Sequence, residues 1–254
     1  MDIRGKQVVV TGGSRGLGLG LVEALVDNGA LVTAVARGEA DLRSAQKRLG
    51  ISFATADVTD PAAASQILRD VNPDVVVLNA GTPPRMGRID QIGWEDFSAT
   101  WEVDVKGALA WTQAALRQPL APGSRVLMTS SGAAINGSPL SGGYGGAKKM
   151  IWLIAQYANA FSLKSGLKIR FQVVVPQQMV GGTGTGDAGS RAYADADGIT
   201  PQKFLEKFGP PMPPRMFGNY IVDILEDARH DRGLAFGLRA ATGVSILDAP
   251  PARE

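Results

Sequence analysis

The sequence predicts an α/β fold: a single domain with a doubly wound parallel sheet covered by helices on both faces. Three observations carry this. Short β-branched runs alternate with longer helical segments as far as about Val175, the pattern of repeated βαβ units. Most of the runs are bare of polar residues, as strands covered on both faces are. The first run also passes directly into a glycine-rich turn and a helix.

Taken in order, the spacing predicts strands over 7–11, 31–36, 52–56, 74–79, 125–130 and 169–175. The helix over 17–28 stops at Gly29 and that over 42–49 at Gly50, because glycine accepts the left-handed conformation just past a helix end. Asp60 is a natural N-cap and Pro61 a natural first helical residue for the next. Two longer helices, about 94–117 and 144–165, carry Trp101, Trp111, Trp152 and Tyr157, an apolar load that predicts a helix-to-helix subunit interface. After Pro176 a Gly- and Pro-rich stretch opens with Gly181-Gly182-Thr183-Gly184-Thr185-Gly186. It reads as a lid over 181–215, structureless except for a helix from Thr200 to about Phe208. A helix over 216–226 and a last strand over 234–238 complete the chain.

Composition narrows the chemistry. The chain has 254 residues, 44% hydrophobic and 20% charged, with a net charge of +2, enough for a sizeable core and unlike a disordered or fibrous protein. Lys and Arg number 26 against 24 Asp and Glu without a basic run, which argues against nucleic acid as a partner. With no cysteine and one histidine, His230, disulfides, iron–sulfur clusters and zinc sites are excluded, and no metal is expected. Val8-Val9-Val10 is too short for a signal segment and no long apolar stretch follows, so a cytoplasmic protein with no membrane partner is expected.

The chemistry lies in four ordered motifs. Thr11-Gly12-Gly13-Ser14-Arg15-Gly16-Leu17-Gly18 joins the first strand to the first helix, presenting backbone N–H groups and a positive helix end to a diphosphate. Asp57-Val58 follows the third strand and Asn79-Ala80-Gly81 ends the fourth. Ser131 precedes Tyr144 by thirteen residues, and Lys148 follows four later. Together these resemble the short-chain dehydrogenase/reductase family, which implies a Rossmann-type fold, a nicotinamide cofactor and hydride exchange with a small-molecule carbonyl or secondary alcohol. The resemblance implies a homodimer or homotetramer. It places Gly12, Ser14, Arg15, Gly16, Leu17, Gly18, Asp57, Val58, Asn79, Ala80, Gly81 and the Met179 backbone at the cofactor. Ser131, Tyr144 and Lys148 then become catalytic, with Tyr144 and Lys148 also touching the cofactor.

Elementary chemistry agrees with those roles. Tyr144 and Lys148 share a helix face at i and i+4. A free phenol is only about one part in a thousand ionised at pH 7, and a neighbouring ammonium favours the phenolate. At the end of the second strand stand Ala36 and Arg37, where NAD-specific proteins place a carboxylate. With Arg15 and Arg37 nearby, NADP is expected over NAD. Ser131, Ser138, Leu140 and Val180 are expected to line the substrate site, with Tyr193, Phe204 and Met212 in the stretch above it.

Two departures stand out. Pro176-Gln177 replaces the family's Pro-Gly, and Asp104 occupies the place of its fourth catalytic residue, an Asn whose backbone carbonyl, by resemblance, holds a water linked to Lys148. If the Asp104 carboxylate faces Lys148 at about 8 Å, it partly cancels the pull on Tyr144, by on the order of 2 kcal/mol. Otherwise it turns away, toward Lys106 or a neighbouring helix. These departures keep a second reading open: a non-catalytic dinucleotide-binding regulator or interaction module.

Overall fold

The computed structural model describes residues 1–230 and 233–248. Strands β1 (Gln7–Thr11), β2 (Leu31–Ala36), β3 (Ser52–Thr55), β4 (Val75–Leu78), β5 (Arg125–Thr129), β6 (Arg170–Pro176), β7 (Ala235–Arg239) and β8 (Gly243–Asp248) form one sheet. Their order is β3-β2-β1-β4-β5-β6-β7-β8. All pairings are parallel except β7 with β8, which is antiparallel. The helices are α1 (Gly16–Asp27), α2 (Glu39–Leu49), α3 (Pro61–Val71), α4 (Trp94–Thr100), α5 (Lys106–Arg117), α6 (Ala133–Asn136), α7 (Tyr144–Lys164), α8 (Gly184–Asp197), α9 (Pro201–Glu206) and α10 (Pro214–Glu226).

Alternation along the strands sorts the core into two layers. Val8 and Val10 of β1 with Val75 and Val77 of β4 pack against Leu21 and Leu25 of α1 and Phe217 and Ile221 of α10. Val9, Val76 and Leu78 point the other way, onto Trp111 of α5 and Ile151 and Ile154 of α7. Trp111 and Trp152 are therefore core residues at 2% and 9% exposure, not interface residues. Of the four aromatics expected at a subunit contact, only Trp101 and Tyr157 reach the surface, at 37% and 61%.

The expected strands and caps are present. The Asp60 carboxylate accepts from Ala62 N at 2.8 Å and Ala63 N at 3.3 Å, and Gly50 closes α2 with φ 70. The stretch over 94–117 is not one regular helix: a π turn at Trp101–Val105 separates α4 from α5. Residues 181–215 are not structureless either, since α8 precedes α9. Thr183 caps α8 by accepting from Gly186 N at 3.0 Å. Gly186 is small because a Cβ there would lie 1.8 Å from Val180 O. β8 lies beyond the expected last strand.

α10 is held to the sheet and to α1. The buried Arg125 guanidinium donates to Gln172 Oε1 at 2.8 Å and to the carbonyls of Ile224 and Leu225 at 3.1 Å each, satisfying the last turn of α10. Against α1 the approach is backbone to backbone: a Cβ on Gly20 would fall 2.3 Å from Pro214 C, and one on Gly218 2.5 Å from Gly20 O. Gly20→Ala is accordingly expected to push α10 off α1 and to destabilise the fold by about 2–3 kcal/mol. A urea midpoint unchanged from wild type would contradict this contact.

Candidate functional site

Helices leave β1 and β4 toward opposite faces of the sheet, and ligands of such folds bind in the crevice this opens at the carboxyl ends of the strands. Thr11 Oγ1 pins the two strand ends: it donates to Val77 O at 3.4 Å and accepts from Asn79 N at 3.0 Å and Ala80 N at 3.1 Å. Gly12, at φ +68, packs against Ala80, whose Cα would lie 2.8 Å from a Cβ at Gly12. A cleft of about 920 Å³ opens above this point.

One end of the cleft suits a dinucleotide. Gly12, Ser14, Arg15, Gly16 and Leu17 line it, and α1 begins there with no side-chain cap and no acidic residue in its first turn, leaving N–H groups open to an anion. Asn79, Ala80, Gly81, Asp57, Val58 and Arg37 also line it. Thr59 holds the Asp57 carboxyl below the usual carboxylate range, first through its backbone N–H (2.9 Å) and then its hydroxyl (2.8 Å), with Arg37 and Lys106 adding attraction. Arg15 and Arg37 make no ion pair among the described residues. Gly18 does not line the cleft; its Cβ would strike Gly12 O at 2.0 Å, so it serves the packing of α1 on the turn. Sequence reasoning missed Asp41, a carboxylate lining the same end one turn into α2, across from Gly38.

Ser131, Tyr144, Lys148 and Asp104 meet on the same cleft. Tyr144 is the first residue of α7 and Lys148 lies one turn on, its Nζ 5.6 Å from the centre of the Tyr144 ring. Ser130 Oγ donates to Lys148 O at 2.8 Å, fastening α7 to β5. Trp101 Nε1 donates to Gly143 O at 3.0 Å and holds the start of α7 from the other side. The π turn aims Asp104 inward. Its Oδ1 accepts from Thr82 N at 2.8 Å, and its Oδ2 lies 3.0 Å from Lys148 Nζ. The two charges thus meet directly, much closer than the supposed separation of about 8 Å, and the carboxylate does not turn away toward Lys106 or a neighbouring helix.

Both partners are buried, with 7% of the Lys148 side chain and 1% of that of Asp104 exposed. Burial works against the ammonium, but the Asp104 carboxylate and then the Tyr144 phenol outweigh it, so Lys148 holds its proton above the ordinary lysine range. Nζ also donates to Thr129 O at 3.3 Å.

At the other end of the cleft, Ser138, Met179 and Val180 line the wall, joined by Met86, Asn136, Pro139, Tyr193, Phe204 and Phe208. Leu140 does not line it: its N–H donates to Tyr193 Oη at 3.1 Å and its carbonyl accepts from Gly87 N at 2.8 Å. Met212 is also absent from the wall, being buried in the core beside α10. Tyr193 Oη is 2.8 Å from Ser138 Oγ, and its ring stacks on Phe204 at 5.5 Å. Gln177, where the family carries glycine, and the following Gln178 tie this loop to the β7–β8 turn: Arg239 Nε donates to Gln177 Oε1 at 2.9 Å, and Ala240 N to Gln178 Oε1 at 2.7 Å.

A family model described as short chain dehydrogenase matches residues 6–187. Among curated proteins, the chain is 29% identical over 174 residues to the short chain dehydrogenase/reductase AacuD of Aspergillus aculeatus, covering 65% of this chain and 61% of that protein. It is 32% identical over 160 residues to L-fucose dehydrogenase of Rattus norvegicus, covering 61% and 56%. Each alignment thus spans less than two thirds of the relative's own length. The fold is similar to that of a crystal structure of 3-ketoacyl-(acyl-carrier-protein) reductase from Brucella melitensis complexed with NADH. That likeness has a TM-score of 0.76 at 18% identity over 93% of this chain and 96% of that one. A structure of NAD+-bound xylitol dehydrogenase gives 0.80 at 18% over 94% and 98%.

The buried pair has a measurable signature. Asp104→Asn strands an uncompensated ammonium and is expected to cost about 3–5 kcal/mol at neutral pH. Because the folded Lys148 holds its proton above the unfolded value near ~10.4, the wild-type contribution is complete below that value and is lost as pH rises through the folded one. Urea midpoints from pH 7 to 11 should show both effects. A variant equal to wild type at pH 7 would contradict the pairing.

Proposed function

Because the chain belongs to the short chain dehydrogenase family, we propose that it is an NADP-dependent oxidoreductase exchanging hydride with an uncharged carbonyl or secondary alcohol, Tyr144 serving as acid and base. One observation carries this reading: Lys148, buried and paired with Asp104, stands 5.6 Å from the Tyr144 ring, and Ser131 lines the same dinucleotide-sized cleft. It favours an enzyme over a non-catalytic binding module, because Asp104 keeps Lys148 charged rather than disabling it.

The turn Gly12–Leu17 with the start of α1 would hold the diphosphate, Asp57 and Val58 the adenine, and Asn79 to Gly81 the adjoining ribose. Lys148 would reach the nicotinamide ribose, and the Met179 backbone the carboxamide. When bound, the nicotinamide supplies or takes up hydride. In reduction the Ser131 hydroxyl donates to the substrate carbonyl oxygen and Tyr144 passes its proton to the oxygen as it gains charge. In oxidation the ionised form of Tyr144 takes the alcohol proton.

Among the described residues, no charged side chain other than Lys148 and Asp104 lines the substrate end, and Met86, Met179, Tyr193, Phe204 and Phe208 supply an apolar wall with Asn136 and Ser138 as polar points. A cyclic ketone or a 3-oxoacyl thioester fits it better than a keto acid. We read α8 and α9 as the lid, latched by Tyr193 to Ser138. The exposed Trp101, Leu109, Tyr157 and Phe161 on the α4–α5 and α7 surfaces support a homodimer or homotetramer.

NADPH oxidation across a panel of carbonyl classes tests the activity. Tyr144→Phe removes the proton donor at nearly constant shape and is expected to lower turnover at least about 100-fold with cofactor affinity retained. Turnover equal to wild type would reject the assignment.

For the cofactor, β2 ends at Ala36, with Arg37 next, rather than at a carboxylate, and Arg15 lines the same adenosine end, which also holds Asp41 and Asp57. NADP is therefore preferred here, although the two structural neighbours hold NADH and NAD+. Arg37→Ala should weaken NADP(H) binding at least about tenfold and leave NAD(H) nearly unchanged, the loss of one charge-assisted hydrogen bond. Equal wild-type dissociation constants for the two cofactors would refute the preference.

A further inference from the structure

Between Asp104 and the core, sharing Val58, Ala80, Asp104 and Thr129 with the cleft wall, lies a small space of about 10 Å³, the room of a single water molecule. Val58, Leu78 and Ile151 supply apolar walls. Its polar lining is unusual. Five buried side-chain polar atoms among the described residues have no hydrogen-bond partner, and three of them, Asp104 Oδ2, Thr129 Oγ1 and Trp111 Nε1, belong to residues lining this one space. Asp104 Oδ2 faces the Lys148 ammonium at 3.0 Å, a charge-assisted contact that leaves this oxygen able to accept a further hydrogen bond. The three residues are 3%, 7% and 2% exposed, so bulk solvent does not meet their needs. Thr11, the fourth polar residue of the wall, is already satisfied by Val77, Asn79 and Ala80.

The donor and acceptor sets identify the occupant. An indole N–H only donates, a carboxylate only accepts and a hydroxyl does either. A species between them must accept from Trp111 while donating to Asp104. A metal cation cannot accept, and an ammonium has no lone pair to offer. Water can do both, and buried waters ordinarily make about three hydrogen bonds.

We propose that this space holds one ordered water, accepting from Trp111 Nε1 and donating to Asp104 Oδ2 and to Thr129 Oγ1. It is the third partner of the Asp104 carboxylate, after Thr82 N and Lys148 Nζ. Lys148, Tyr144 and Ser131 do not line the space, so the proposed water is held by side chains other than those that carry the proposed proton transfer, and it does not depend on that activity. Its effect is to join a core tryptophan and a strand hydroxyl to the buried ion pair through one shared ligand.

The test combines crystallography with a double-mutant cycle on the full chain. A crystal structure near 1.5 Å should show a density peak within hydrogen-bond distance of all three atoms, retained in Thr129→Ser and lost in Thr129→Val. In urea unfolding, Trp111→Phe and Thr129→Val should be subadditive, because either one releases the same water and the second finds less to lose. Should Trp111→Phe fail to fold, the cycle of Thr129→Val with Asp104→Asn takes its place, with the same expectation. A dry space in the wild type, or effects that add within error, overturns the proposal.

Discussion

An ammonium taken out of water needs an anion, and Lys148 finds one in Asp104 rather than in solvent. Much of the surrounding structure can be understood as the means of keeping that pair aligned. α7 presents Lys148 while Ser130 and Trp101 fix the helix from two sides. The π turn and Thr82 fix the carboxylate. Gly81 must be small because a Cβ there would press on Asp104 Oδ2 at 2.8 Å. A residue that reads in sequence as a departure from its relatives is therefore integrated with the backbone around it.

The parts of this arrangement that were legible in the sequence are the local ones. The turn at Gly12–Leu17, the caps at Asp60 and Gly50 and the i, i+4 pair of Tyr144 and Lys148 each need only a few neighbouring residues to be specified. The parallel sheet was legible too, because strands covered on both faces announce themselves as bare apolar runs. The orientation of Asp104 was not. It depends on one wide helical turn, and nothing in Trp101-Glu102-Val103-Asp104-Val105 marks that turn in composition.

Glycine misled in a second way. The Gly-rich stretch after Pro176 suggests a chain without structure, whereas Gly186 and Gly189 of α8 are small to admit Val180 O and the Met179 thioether. Composition does not separate a glycine that frees the backbone from one that makes room for a neighbour. The tryptophans show the same limit: Trp111 and Trp152 look like surface anchors on long helices, yet the layer beneath the sheet is deep enough to take both. Asp41 escaped notice because it joins the cofactor end only through the fold of the second βα turn.

The crossing of α1 with α10 also bears on how the molecule comes into being. Gly20 meets Pro214 and Gly218, residues at opposite ends of the chain. During synthesis the face of α1 that α10 will cover stays open to solvent until α10 itself, about two hundred residues later, has emerged, an interval in which Leu21 and Leu25 lack part of their final cover. Such distant contacts slow folding, since a long loop must close before they form. The turn Gly12–Leu17 is thus made early, and it acquires its rigid backing from α10 among the last events of folding.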